Sequence, residues 1–129
     1  MVNDPIADFL IRLQNASKVH HERIAVPFSS MKLALAELLS REGYVGAVSR
    51  KTSGALDVEL LYTGVGGRPT ITAAKRISKP SRRMYLGVND IHPAKRGHGL
   101  VVLSTPAGVL TGEAARKQNV GGEVLFEIW

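Results

Sequence analysis

The spacing of the apolar residues changes near Tyr44 from a helical period to a strand period. Before that residue, apolar side chains recur at intervals of three and four, as one buried face of an α-helix requires. After it, apolar and polar residues alternate, which is typical of a half-buried β-strand. Short helices and neighbouring strands therefore share one chain, and we expect an α+β fold with mainly antiparallel sheets.

Two helices are predicted before this change. Asp4 can cap the first helix, and Pro5 suits its first position. The apolar residues expected on its buried face are Ile6, Phe9, Leu10 and Leu13. The second helix is expected to begin at Ser29 or Ser30 and to end at Gly43. The apolar residues of its buried face are Met31, Ala34, Leu35, Leu38 and Leu39.

A hairpin is predicted after the second helix. Its strands cover residues 44–49 and 56–62, and a shorter strand over 23–26 precedes them. The residues of the second hairpin strand that are expected to face the core are Leu56, Val58, Leu60 and Tyr62. Those expected to face solvent are Asp57 and Glu59. The order of elements in this part is helix, strand, helix, strand, strand.

A run of glycines and a proline, Gly64 to Pro69, follows this unit, and the charge balance changes at the same place. Residues 1–66 carry seven Lys or Arg and seven Asp or Glu, whereas residues 67–129 carry ten and four. We therefore expect two small α+β domains in contact, one over 1–66 and a basic one over 67–129.

The second domain is expected to contain short elements joined by turns. Strands are predicted over 70–77, 100–104 and 123–129, and a short helix capped by Thr111 runs to Gln118. A basic turn and a loop rich in glycine, proline and histidine separate the first two strands.

Composition excludes several classes of protein. The chain has 129 residues and no cysteine, so disulfides and thiolate zinc sites are impossible. It lacks an apolar stretch of the roughly 20 residues that cross a bilayer, and its start lacks a secretory signal. The four histidines match no metal-ligand or nucleophile motif. We expect a cytoplasmic protein that is not an enzyme and that holds no cofactor and no metal ion.

The strongest charge excess lies between Arg68 and Arg96, where eight bases accompany one acid, Asp90. Such a field suits a polyanion, although a solvated basic face that aids solubility is the alternative. Within it, Lys79, Arg82 and Arg83 lie close together, Pro80 fixes a turn, and Tyr85 offers a ring for an unstacked base. The alternative for Tyr85 is a strand residue packed into the core.

A second candidate segment is the hydroxyl pair Ser104-Thr105 at the end of an apolar strand. Small hydroxyl groups on a turn can reach base edges or 2′-hydroxyls in the shallow minor groove of RNA. A plain turn that ends the strand is the alternative at this position.

Over essentially its whole length the chain resembles the bacterial small-subunit ribosomal protein eight family. The segments that carry the resemblance, in order, are 4–10 with Arg12 and Asn15, 29–32, 42–44, 78–85, 97–105, 108–111, 113–117 and 120–129. The resemblance implies two α+β domains and a structural protein that binds the central domain of 16S ribosomal RNA and helps to organise the platform. It also implies neighbouring small-subunit proteins five and twelve and, in some members, repression of a ribosomal-protein operon through its messenger RNA.

The residues and the resemblance together select a set of expected RNA contacts. The cations expected at phosphates are Lys75, Arg76, Lys79, Arg82 and Arg83. The residues expected to contact or shape the RNA site are Ser78, Pro80, Tyr85, Ser104, Thr105, Gly121, Gly122 and Glu123. A second contact is expected from the first domain through Ser30 and Lys32. The family usually has a third hydroxyl residue where this chain has Pro106, so that position offers only a shape contact.

Three other functions compete with this one. A protein-interaction module would use the basic face to bind acidic partners. A small hydrolase would use His92 or His98, and a general DNA-binding protein would be indifferent to RNA structure.

Overall fold

A computed structural model of the chain describes residues 4–64, 66–91 and 99–129. Within these residues, three α-helices accompany ten β-strands, and every strand pair is antiparallel, which confirms the α+β class. The contacts divide the chain into an N-terminal unit over residues 5–72 and a C-terminal unit over residues 73–129 together with Asp4. No helix in the described part is long and apolar enough to cross a membrane.

The expected boundary after residue 66 falls inside the N-terminal unit. The physical reason is a small hairpin: Tyr62–Thr63 pairs with Arg68–Pro69, so Gly64 and Gly66 lie between two paired strands. The glycines therefore lie in the turn of a hairpin, at the place where composition suggested a domain boundary.

The N-terminal unit contains a three-stranded sheet in the order β1-β3-β2, two helices and the small hairpin. Its elements are α1 (Pro5–Lys18), β1 (Arg23–Pro27), α2 (Ser30–Arg41), β2 (Val45–Arg50), β3 (Ala55–Leu60), β4 (Tyr62–Thr63) and β5 (Arg68–Pro69). The predicted buried face of α1 is confirmed, and Ala16 and Ser17 extend it.

The start of α2 is defined by Ser29, whose hydroxyl accepts a hydrogen bond from the Lys32 backbone N–H at 3.1 Å. The expectation for Met31 is wrong, because its side chain is 38% exposed. Lys32 is buried in its place, at 8% exposure, and its ammonium donates to the Pro27 carbonyl at 3.1 Å. The aliphatic stem of a lysine can cover apolar surface in this way while the charge keeps a polar partner.

The central strand β3 explains a second difference from expectation. Leu56, Val58 and Leu60 are buried as predicted, but Asp57 is buried too, at 4% exposure. On the central strand Asp57 lies opposite Ala25 of β1 and Ser49 of β2, and it pairs with Arg23 of β1 at 2.5 Å. The hydrogen bond and the charge of Asp57 raise the pKa of Arg23.

The C-terminal unit is built on a five-stranded sheet. Its main path is β6-β10-β8-β9, and β7 also pairs with β10. Its elements are β6 (Ala74–Arg76), β7 (Tyr85–Leu86), a 3₁₀ turn (Val88–Asp90), β8 (Leu100–Thr105), β9 (Gly108–Thr111), α3 (Gly112–Lys117) and β10 (Gly122–Ile128). The strand predicted over 70–77 is reduced to β6.

One buried cluster of the C-terminal unit lies on the face of this sheet that carries Leu103. Val124 and Leu103 are directly opposite each other in β10 and β8, and Ala115 of α3 joins them in one buried cluster. As predicted, Thr111 caps α3, because its hydroxyl accepts from the Ala114 N–H at 3.1 Å. The helix thereby packs against part of the sheet.

The cap of α2 gives a stability prediction. Ser29→Ala should lower the free energy of unfolding by about 1 kcal/mol, because the Lys32 N–H loses its acceptor. Urea denaturation of the full chain measures this change. Ser30→Ala is the matched control and should cost less than half as much, and equal losses would show that Ser29 is not the cap.

Candidate nucleic-acid interface

Strand β10 brings the two candidate segments together. Glu123 lies opposite Tyr85 of β7 on one side and opposite Ser104 of β8 on the other. Directly opposed residues of antiparallel strands point to the same face. Tyr85, Glu123 and Ser104 therefore form one continuous line across three strands, which we call the polar row.

Tyr85 presents its ring to solvent in this row, with 68% of its surface exposed. The alternative of a tyrosine packed into the core is thus excluded. An exposed ring at the edge of a sheet is available to stack on a flat ligand such as an unpaired base.

The turn that follows β8, residues 104–108, carries two hydroxyl groups that differ in their hydrogen bonds. Thr105 uses its own within the turn: Oγ1 donates to the Gly108 carbonyl at 2.8 Å and accepts from the Ala107 N–H at 3.1 Å. Ser104 is half-buried, and its hydroxyl makes no hydrogen bond to any described residue. Ser104 is therefore the hydroxyl that can bind a ligand, while Thr105 shapes the turn and Pro106 stands exposed at its tip.

The basic turn is a tight hairpin over residues 79–82, which we call the basic hairpin. The backbone N–H and C=O groups of Lys79 and Arg82 bond to each other in both directions at 2.9 Å. Pro80 and Ser81 form its tip, and Ser81 keeps φ outside the left-handed region, as expected from the absence of glycine there. The side chains of Lys79 and Arg82 are exposed and have no ion-pair partner among the described residues.

A buried hydroxyl and a carboxylate hold this hairpin on β10. Ser78 is fully buried; its Oγ donates to Glu123 Oε2 at 2.5 Å and accepts from the Met84 N–H at 3.1 Å. Arg83 Nη1 donates to the same carboxylate oxygen at 2.9 Å. One oxygen of Glu123 thus receives a bond from each arm of the segment that carries the basic hairpin.

The ionisation of Glu123 follows from these contacts. Burial alone would raise the pKa of Glu123, but hydrogen bonds from Ser78 and Arg83 and the charges of Arg83 and Arg76 outweigh it and lower the pKa. The same contacts with Glu123 raise the pKa of Arg83. Arg83 is therefore engaged in an ion pair with Glu123, and about half of its side chain is exposed to solvent.

Two glycines allow the three strands of the polar row to approach closely. A Cβ at Gly121 would clash with the Leu86 carbonyl oxygen, and one at Gly122 would clash with the Ser104 carbonyl oxygen. Both obstacles are backbone atoms, which cannot turn aside. The expectation that these glycines shape the site thus has a direct steric cause.

The other expected contacts differ in their availability. Arg76 is mostly buried; it pairs with Asp4 at 3.2 Å and donates to the Leu125 carbonyl at 2.6 Å. Lys75 is exposed on β6. Ser30 and Lys32 belong to the N-terminal unit, where Ser30 is exposed and Lys32 is buried on Pro27. The burial of Lys32 disfavours a phosphate contact.

The described residues hold no group of three or more histidine, cysteine or acidic side chains that could bind a metal ion. His20 stacks on Tyr62 with ring centroids 4.9 Å apart. His92 and His98, the candidates for a hydrolase, lie outside the described residues.

Comparison with known proteins assigns the whole chain to one family. Residues 4–129 match the family described as Ribosomal protein S8. Similar proteins carry the name small ribosomal subunit protein uS8: that of Oleidesulfovibrio alaskensis is 47% identical over 129 residues, which is 100% of both chains. That of Roseiflexus castenholzii is 45% identical over 99% of this chain and 98% of its own, and that of Streptococcus sanguinis is 44% identical over 100% and 99%.

The steric role of Gly122 can be tested by adding one methyl group. Gly122→Ala should destabilise the chain by about 2 kcal/mol, because its Cβ forces β8 and β10 apart. The control is Gly87→Ala, where φ is −72° and the new Cβ would meet only Asp90 Oδ2 at 3.4 Å. Thermal unfolding of both variants checks this, and similar losses would remove the close-approach argument.

The lowered pKa of Glu123 predicts a pH-dependent stability difference between the native chain and Glu123→Gln. A carboxyl whose pKa is lower in the folded state stabilises that state above its unfolded pKa, about 4.3, and this contribution is lost as the pH falls through the folded pKa. Urea unfolding should show the native chain more stable at neutral pH, with the gap closing in acid. A gap that stays constant with pH would contradict this assignment.

Proposed function

Because the chain belongs to the ribosomal protein S8 family, we propose that it binds the RNA of the small ribosomal subunit through the polar row and basic hairpin of its C-terminal unit. As a member of this family, the chain is a structural component of the small subunit and not an enzyme. The RNA contact is the finer part of the assignment, and its support comes from the geometry of the site.

The observation that carries the proposal is the exposed ring of Tyr85 in line with the unoccupied hydroxyl of Ser104. Sequence-specific RNA recognition uses unstacked bases on aromatic rings and small polar groups at base edges and 2′-hydroxyls. The polar row offers both groups on β7 and β8, the two strands that flank β10, and their spacing is set by the backbone.

Phosphate binding is assigned to the basic hairpin. Lys79 and Arg82 are exposed and unpaired among described residues, and their backbone pairing holds them as neighbours. Because the hairpin backbone is already ordered, cations on it lose little conformational entropy when they bind RNA phosphates. The absence of a helix at this site favours irregular RNA over the major groove of DNA, which recognition helices enter.

We further propose that the target lies in the central domain of 16S ribosomal RNA, where binding helps to organise the platform beside small-subunit proteins five and twelve. A similar hairpin in a ribosomal-protein operon messenger RNA would fit the same polar row, and its capture would repress translation. Both extensions rest on the family resemblance of residues 78–85 and 97–105.

The test is the affinity for an imperfect hairpin from the central domain against a perfect duplex of equal length. The native chain should prefer the imperfect hairpin, with a log–log salt slope of about −3 to −6, as for some four to seven neutralised phosphates. Equal and weak binding to both RNAs would reduce the basic hairpin to a general polyanion attractor and overturn the proposal.

Tyr85→Ala should weaken hairpin binding by about 1–3 kcal/mol, the usual contribution of base stacking. Tyr85→Phe, which keeps the ring, is the matched control and should bind nearly as well as the native chain. Filter binding at fixed salt measures all three proteins. Undiminished affinity of Tyr85→Ala would show that the ring does not stack on RNA.

A further inference from the structure

The C-terminal unit has a second concave surface that the polar row does not use. It is a groove of about 600 Å³, which we call the basic groove. The residues that line it are Lys75, Arg76, Ile77, Lys79, Arg82, Met84, Leu86, Val101, Val124 and Glu127. Its volume lies within the range of about 300–1,000 Å³ that is typical of ligand sites.

The basic groove lies on the opposite face of the sheet from the polar row. Val124, which lines the groove, follows Glu123 in β10, and successive side chains of a strand point to opposite faces. Val101 lies two residues before Leu103, the cross-strand partner of Val124, and so shares the groove face. A ligand in the groove and a ligand on Tyr85 would therefore bind to different sides of β10.

The walls and floor of the groove have distinct chemistry. The floor is aliphatic, and Met84 is 38% exposed there. Lys75, Lys79 and Arg82 supply cations that have no ion-pair partner among the described residues. The lining also contains one acid, the buried Glu127 opposite Lys75, so cations outnumber acids in the groove. Methionine is a common residue of adaptable binding surfaces, because its side chain is flexible and polarizable.

We propose that the basic groove docks an acidic segment of a partner protein that inserts an apolar side chain over Met84 and Leu86. Charge complementarity points to acidic residues flanking that anchor, opposite Lys75, Lys79 and Arg82. A nucleic acid fits less well, because the described lining contains no aromatic side chain on which a base could stack. The proposal goes beyond RNA binding, but Lys79 and Arg82 belong both to the groove and to the basic hairpin, so the acidic segment and RNA are expected to compete for these two cations.

The experiment uses the full chain and a fluorescent peptide of about twelve residues with Asp and Glu around a central Leu-Phe pair. Two probes serve as comparisons: the same peptide with Ala-Ala at its centre, and oligouridylate. Anisotropy gives the affinities, and side-chain methyl shifts of the labelled protein, which report on the groove face, locate each probe. The Leu-Phe peptide should bind at least fivefold more tightly than the Ala-Ala peptide and shift Ile77, Met84 and Val124.

Two variants test the groove residues directly. Met84→Gln and Lys75→Gln should each weaken binding of the Leu-Phe peptide by about fivefold or more, whereas Lys51→Gln, an exposed lysine of the N-terminal unit, should not. Met84→Gln should retain its affinity for the RNA hairpin, because only its backbone N–H belongs to the network around Ser78.

Three results would overturn the proposal. Equal binding of the Leu-Phe and Ala-Ala peptides would reveal general charge attraction without a docked anchor. Shifts from oligouridylate at Met84 and Val124 would make the groove a nucleic-acid site. Failure of the peptide to bind while the RNA hairpin still binds would reject the docking surface and leave the proposed function intact.

Discussion

The carboxylate of Glu123 organises the surface that we assign to RNA. An acidic group beside a polyanion is unfavourable by charge alone, so its presence needs a structural reason. That reason is its position between Ser78 and Arg83, which belong to the two arms of the basic hairpin. Without this carboxylate, the buried hydroxyl of Ser78 would lose its acceptor, and Arg83 would lose the partner that orients it. The contacts of Glu123 therefore fix the position of the basic hairpin relative to the polar row.

Much of this architecture follows from patterns of a few residues. The face of α1, the cap of α3 and the presence of a turn at Pro80 depend on neighbours within one or two turns of chain, and the sequence predicts them correctly. For Asp57 and Met31, such local patterns predict the wrong exposure. Alternation assigned Asp57 to solvent, but this residue is buried and paired with Arg23, and only the tertiary order of the strands brings Arg23 beside it.

The candidate site has the same limit. The sequence identifies Tyr85 and Ser104 as separate candidates, yet their alignment requires β10 between β7 and β8. The bond between Ser78 and Glu123 joins residues 45 positions apart, and no spacing rule predicts it. The sequence also does not show that the Thr105 hydroxyl is used within its own turn. A threonine whose hydroxyl bonds to the turn backbone and one whose hydroxyl is available to a ligand are the same residue in the sequence. The basic groove is a further case, since its lining comes from four strands and a hairpin.

The glycine pair at 121–122 has a genetic consequence. Every single-nucleotide change that alters a glycine codon to that of another amino acid adds at least a Cβ, and at these two positions that atom meets backbone carbonyl oxygens. Side chains at the tip of the basic hairpin are exposed and can be replaced without disturbing the backbone. The spacing between the strands cannot change in the same way. Substitutions can therefore alter which chemical groups the surface presents, while the distances between the strands that carry those groups stay the same.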